Sequence, residues 1–220
     1  MIIVVASIKG GTGKTTIATN LAIIAAKQGS DILLVDADTQ CSASDFMSVR
    51  EEEKHDPQIT SAMIHGKHIA EELRKFEPKF DDIIVDVGGR DSVTLRSVLL
   101  YADILIIPCL PSQLDAWALE HMNTLVSDVL KFNEKLQTLV FLNKVDTNPR
   151  IPMTNEAEEI LKECKGLNFC DVKIGYRIAF RRAIAEGLGV VELKKSKQDK
   201  KAVEEINKLY MEIFECVKDQ

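Results

Sequence analysis

Ile2-Ile3-Val4-Val5-Ala6, followed by Lys9-Gly10-Gly11-Thr12-Gly13-Lys14-Thr15-Thr16, decides the fold of this 220-residue chain. The apolar run reads as a buried strand, and the glycine-rich turn behind it opens a helix. A strand feeding such a loop is a phosphate cradle. Glycines let backbone N–H groups turn inward, Lys14 reaches the β and γ oxygens, and the Thr15 hydroxyl is available to Mg2+. Lys9, Gly10, Gly11, Thr12, Gly13, Lys14, Thr15 and Thr16 are therefore the candidate nucleotide-binding residues. Ile8 stands where the ordinary phosphate-loop pattern has its first glycine, and Lys9 adds a second lysine at the front. A cation placed there can reach a phosphate on its own subunit or on a neighbouring one, which makes the loop a candidate dimerisation device.

Outward from the loop, residues 15–28 carry Ile17, Leu21, Ile24 and Ala25 at helical spacing before Gly29, so a helix N-terminus points at the phosphate site. Ile32 to Val35 reads as a second strand ending in Asp36-Ala37-Asp38-Thr39-Gln40, and Ile83 to Val85 as a third ending in Asp86-Val87-Gly88-Gly89. Further strands are expected at 104–107 and 139–142, with helices over 91–101, 115–133 and 153–164 and a terminal packing helix over 199–218. The charged segment 45–80 reads as a surface excursion with a helix near 69–77. Strands alternating with helices predict an α/β P-loop NTPase: a mostly parallel twisted sheet with helices on both faces, one domain over residues 1–220. Ligands of such sheets bind outside the carboxyl ends of the strands, where the acid-bearing loops converge on the phosphate loop.

Asp86 closes an apolar strand, the context in which an acid supports Mg2+, and the glycines behind it form a backbone that can sense a γ-phosphate and move when it leaves. Asp36 and Asp38 are expected to point to opposite sides of their strand end, with only Asp38 facing the nucleotide and orienting the attacking water. Asp36 then supports Mg2+ or the loop from behind, or caps the helix that begins near Ser42. Thr15, Asp38 and Asp86 are the candidate metal ligands. Phe141-Leu142-Asn143-Lys144-Val145-Asp146 contains an Asn-Lys-x-Asp string of the kind many GTPases use to read guanine, which leaves the base open at this point.

A net charge of −6 excludes a surface that is basic throughout, so any nucleic-acid contact must come from a local patch. Basic residues gather late in the chain, at Arg177, Arg181, Arg182, Lys194, Lys195, Lys197, Lys200 and Lys201, with Arg181 and Arg182 the better DNA-binding candidates. No apolar stretch approaches the roughly 18 residues of a membrane span, and the start has no basic leader. A cytoplasmic protein is expected. The five cysteines are irregularly spaced, without a C-x-x-C pair, and read as reduced thiols.

With these motifs assembled, the chain resembles the ParA/MinD family of deviant Walker A ATPases, and within it the short ParA-type partition proteins without an N-terminal DNA-binding extension. The resemblance runs through residues 9–16, V-D-A-D-T-Q at 35–40, I-I-V-D-V-G-G-R-D at 83–91 and A-F-R-R-A-I-A-E-G-L-G-V at 179–190. It implies catalytic roles for Lys9, Lys14 and Asp38, with Lys9 crossing a dimer to the partner's nucleotide, two ATP molecules with Mg2+ sandwiched between subunits, and Asn143 contacting adenine. It also implies an ATP-dependent homodimer that binds DNA nonspecifically, associates with the nucleoid, and is reset by a small ParB-like or adaptor protein that stimulates hydrolysis, in plasmid or chromosome partition. Where many relatives carry Pro-Pro this chain has Gly88-Gly89. The two-lysine loop favours ATP over GTP. The alternatives are a MinD-like or other cargo-positioning ATPase and a P-loop metallochaperone. The many acids of residues 203–220 argue against a lipid-binding terminal helix, so no membrane partner is expected.

Overall fold

Ile3, Val5, Leu34, Ile84 and Ile106 pack into one apolar cluster and Ile2, Val4, Val35, Val85 and Leu105 into another. This is the period-two division that a sheet covered on both faces imposes on its strands. The computed structural model describes residues 1–89, 92–111, 116–148 and 152–218. Among these, seven strands form one sheet: β1 (Ile2–Val5), β2 (Ile32–Ala37), β3 (Thr60–Met63), β4 (Asp82–Val87), β5 (Ile104–Cys109), β6 (Gln137–Val145) and β7 (Phe169–Gly175). Their order is β3-β2-β4-β1-β5-β6-β7 and every neighbouring pair is parallel.

The first core lies under helices α1 (Lys14–Lys27), α2 (Ser42–Glu52), α7 (Ile178–Ala185) and α8 (Lys200–Lys218). The second lies under α3 (Ile69–Phe76), α4 (Val93–Leu99), α5 (Ala116–Leu130) and α6 (Met153–Glu163). Helix α1 is buried along most of its length because it sits over the centre of the sheet, with Ile17, Leu21 and Ile24 against β1 and β4 neighbours. Ala202, Ile206, Leu209, Tyr210 and Ile213 of α8 point into the same core, so the terminal helix packs as its periodicity predicts. None of the described helices is long and apolar enough to cross a membrane.

The segment 45–80 is more regular than expected. The helix expected near 69–77 is present as α3, and the segment adds most of α2 and the edge strand β3. Strand β7 and helix α7 also stand where no element is expected. The helices expected over 91–101 and 115–133 are present as α4 and α5, while positions 91 and 115 themselves lie outside the described residues. In register, Val5 and Asp36 both flank Asp86, so three strands deliver their carboxyl ends to one spot.

Candidate nucleotide site

The loop after β1 is held from inside by Ser7. Its buried hydroxyl donates to the Lys9 carbonyl at 2.8 Å and stands 2.7 Å from the Thr12 hydroxyl. Gly13, at φ +93°, is the N-cap of α1, and the first turn of that helix carries no acid. The positive end of the helix is therefore left to face an anion. Lys14 begins the helix and is 7% exposed. Lys9 is half-buried at the front of the loop. Together with Asp38, Thr39, Gln40, Gly88, Gly89 and Lys144, the loop lines a cleft of about 810 Å3 at the carboxyl edge of the sheet.

Thr15 donates its hydroxyl to Asp86 Oδ2 at 2.6 Å, while Asp86 Oδ1 is buried without a hydrogen-bond partner. Burial pushes the Asp86 carboxyl up to about 7. The Thr15 hydrogen bond and Lys14 oppose the shift, and Asp36 and Asp38 add to it. A buried carboxylate with an orphaned oxygen, beside a hydroxyl whose lone pairs remain free, is an oxygen donor set that suits Mg2+. These residues fit the ion, and Thr15 and Asp86 would hold it.

Asp36 and Asp38 do not part to opposite sides. Residues two apart in a strand share a face, and depth separates this pair. Asp36 is 2% exposed, with Oδ1 accepting from the Asp38 N–H at 3.1 Å and Oδ2 from the Ser44 N–H at 2.7 Å. Ser44 lies in the first turn of α2, so Asp36 caps that helix from the neighbouring strand. Asp38, half-buried beyond the strand, accepts from the Gln40 N–H through Oδ1 at 3.0 Å and lines the cleft. A Cβ built on Gly88 would lie 3.0 Å from Asp38 Oδ1, and one on Gly89 would lie 3.1 Å from both Lys14 Nζ and the Lys9 carbonyl oxygen. The glycine pair is thus wedged between Asp38 on one side and Lys14 with the loop backbone on the other. Arg90 and Asp91 of the same motif lie outside the described residues.

Asn143 is buried at the end of β6. Its Nδ2 donates to the Thr12 carbonyl at 2.6 Å, and its Oδ1 accepts from the Lys144 N–H at 2.9 Å. Lys144 Nζ donates to the Gly11 carbonyl at 2.7 Å. Burial, followed by the charges of Arg181 and Lys14, holds the Lys144 ammonium below the usual lysine range. A second cavity of about 120 Å3 continues from Thr16 and is lined by Asn143, Lys144, Tyr176 and Arg181 among others.

The family model for the CobQ/CobB/MinD/ParA nucleotide binding domain matches residues 3–190. The chain belongs to this family. It is 29% identical over 211 residues to the Maintenance of carboxysome distribution protein A of Halothiobacillus neapolitanus, covering 96% of this chain and 94% of that protein. It is 34% identical over 197 residues to the protein of the same name from Gloeobacter kilaueensis, covering 84% and 81%. A plasmid partition protein of Borrelia burgdorferi, solved bound to AMPPNP, shares the fold with a TM-score of 0.70 at 24% identity, over 96% of this chain and 98% of that one.

Within this family's fold the basic residues divide by position. Arg177 is bound to Glu205 at 2.9 and 2.5 Å and to Asp199 at 3.4 Å, so it belongs to the packing of β7 and α8 and leaves the candidate DNA patch. Lys197 is paired with Glu186 at 2.7 Å. Arg181 and Arg182 are both exposed on α7, but Arg181 lies 5.5 Å from the Tyr176 ring centre and lines the smaller cavity. Asp146 is exposed, accepts from the Asn148 N–H at 2.8 Å, and does not line that cavity. Sequence reading did not find Lys144 on the loop or Tyr176 at the cavity. The Asn-Lys string carried a signal for the first, and nothing local marked the second.

Proposed function

We propose that this chain is an ATP-driven dimer switch that positions a large cargo over nucleoid DNA. The observation that carries the reading is the convergence of Lys14, Thr15, Asp38, Asp86 and the Gly88-Gly89 backbone on one cleft. Phosphoryl transfer needs positioning and charge stabilisation more than a strong base, and these groups divide that work. Lys14 and the loop N–H groups hold the β- and γ-phosphates. Thr15 and Asp86 hold Mg2+, which when bound neutralises the developing phosphate charge. Asp38, at the open side of the cleft, orients the attacking water, and loss of the γ-phosphate releases Gly88 and Gly89. Lys9 reaches the nucleotide of the partner subunit, so the dimer exists only while the triphosphate does.

The 120 Å3 cavity beside Asn143 takes the base. Asn143 Nδ2 retains a second hydrogen beyond its bond to Thr12, which suits the acceptor nitrogens of adenine. Asp146 lies off the cavity, and ATP is favoured over GTP on that ground. Relatives covering most of this chain are named for carboxysome distribution, which supports spatial positioning of a bulky assembly as the output. Partition of a replicon uses the same cycle with a different cargo. DNA binding falls to Arg182 with the Lys194, Lys195, Lys200 and Lys201 surface, and Arg181 assists from the nucleotide side. A small adaptor protein completes the cycle by stimulating hydrolysis.

Asp38→Ala tests the reading. With ATP and Mg2+ it is expected to lose turnover and to accumulate as an ATP-bound dimer that co-sediments with DNA, while wild type cycles. Unchanged turnover would remove Asp38 from the water and the switch from the site.

A further inference from the structure

Asn143 and Lys144 are consecutive in β6, and in a regular strand their side chains would leave opposite faces of the sheet. Here both reach the phosphate loop, Asn143 Nδ2 at the Thr12 carbonyl (2.6 Å) and Lys144 Nζ at the Gly11 carbonyl (2.7 Å). The backbone permits it. Lys144 has φ +53°, a left-handed conformation that a lysine adopts at a cost, and the pairing of β6 with β7 slips register between Asn143 and Val145. A bulge of this kind re-aims side chains, and the strain persists only where the surroundings fix it. Asn143 Oδ1 fixes it from within by accepting the Lys144 N–H. The loop is fitted to the same contact, since a Cβ on Gly13 would stand 2.6 Å from Asn143 Nδ2.

We propose that Asn143 and Lys144 form a tether from the β6 bulge that sets the phosphate loop in its phosphate-accepting shape, with Lys144 a positioning residue and not a phosphate ligand. In a trans peptide the C=O and the following N–H point in opposite directions. Anchoring the carbonyls of Gly11 and Thr12 on β6 therefore aims the N–H groups of Thr12 and Gly13 away from β6. A loop without these anchors has no fixed N–H direction, and a flexible glycine segment must be ordered each time an anion binds. The tether is made by the chain's own atoms, and its effect on ATP affinity rests on the proposed function of the site.

The test compares wild type with Lys144→Met and Lys144→Arg by backbone 15N relaxation in the nucleotide-free protein. Thr12 and Gly13 are expected to be rigid in wild type, with order parameters of about 0.85, and to fall below about 0.6 in Lys144→Met. Lys144→Arg, which keeps a donor of similar reach, restores much of the rigidity. ATP and ADP affinities of Lys144→Met are expected to fall together, each on the order of tenfold, the worth of one charge-assisted hydrogen bond. A loop as rigid in Lys144→Met as in wild type, with ATP weakened more than ADP, would make Lys144 a phosphate ligand and overturn the tether. Lys144→Asn covers the case in which Lys144→Met does not fold, because asparagine tolerates positive φ yet is too short to span to Gly11. The relaxation measurement needs no nucleotide, so a wild type that binds no ATP would sink the functional reading and leave the tether separately decided.

Discussion

The two carboxylate oxygens of Asp86 are in different circumstances: Oδ2 takes the Thr15 hydroxyl, and Oδ1 is buried with no hydrogen-bond partner. Burial raises this carboxyl to about 7, whereas in the unfolded chain an aspartate titrates at about pH 4. Between those limits the folded protein keeps a proton that the unfolded chain has lost. The contribution to stability is therefore full below about pH 4 and is lost as pH rises through about 7. Asp86→Asn, uncharged throughout, is expected to match metal-free wild type near about pH 4 and to exceed it by a few kcal/mol near about pH 8. Urea denaturation across that range measures the difference, and a gap that does not change with pH would show that the buried charge costs nothing. With Mg2+ held by Asp86 as proposed, the ion would take the ionised carboxylate, so adding it is expected to stabilise wild type more at the alkaline end and leave Asp86→Asn nearly unmoved.

At the scale of elements, α2 links the nucleotide cleft to the far end of α7. Asp36 caps its N-terminus at Ser44, and near its C-terminus Arg50, 2% exposed, donates to the Gly187 and Pro57 carbonyls and to both Glu192 oxygens at 2.9 and 3.1 Å. Arg50→Met would leave Glu192 buried without its cation, and breaking a buried pair in this way costs about 3–5 kcal/mol. The double variant Arg50→Met with Glu192→Met removes both charges and should recover a large share of that loss in denaturant unfolding. Full additivity of the two single losses would show that the groups do not interact. The same scale shows what the sequence makes legible. Strands β1, β2, β4 and β5 each carry a continuous apolar run, at 2–5, 32–35, 83–85 and 104–107, because both their faces are buried. The edge strand β3, Thr60-Ser61-Ala62-Met63, has no such run because most of it faces solvent. Strand β7 alternates buried Cys170, Val172 and Ile174 with more exposed residues, a period-two signal weaker than the continuous runs around it. The loop, Asp38 and Asp86 were readable because each sits at a strand end with its partners fixed by topology. Lys144 was not, since its aim depends on one left-handed residue inside a strand.

For the whole molecule, the decisive geometry is that the cleft opens along the carboxyl edge of the sheet. A triphosphate lying there in a lone subunit remains partly in water, where charge–charge interactions are weak; a second subunit laid over the edge would dry it and strengthen every contact. Apolar residues stand on that edge. Met63 ends β3 and is 54% exposed, and Val93 begins α4 and is 62% exposed. Lys9 stands half-buried at the front of the loop after β1, and the proposed sandwich places it against the partner's nucleotide. Lys14 has its own place at the helix N-terminus, so the two lysines separate experimentally. Lys9→Ala is expected to retain ATP affinity within a few-fold yet to stay monomeric in light scattering with ATP and Mg2+, where wild type doubles its mass. Met63→Glu should bind ATP like wild type and likewise fail to dimerise, because burying an unpaired carboxylate at the contact is costly. Lys14→Ala should lose nucleotide first and dimer only as a consequence. Wild-type dimerisation by Lys9→Ala would detach the front lysine from the partner and return the loop to the work of a single subunit.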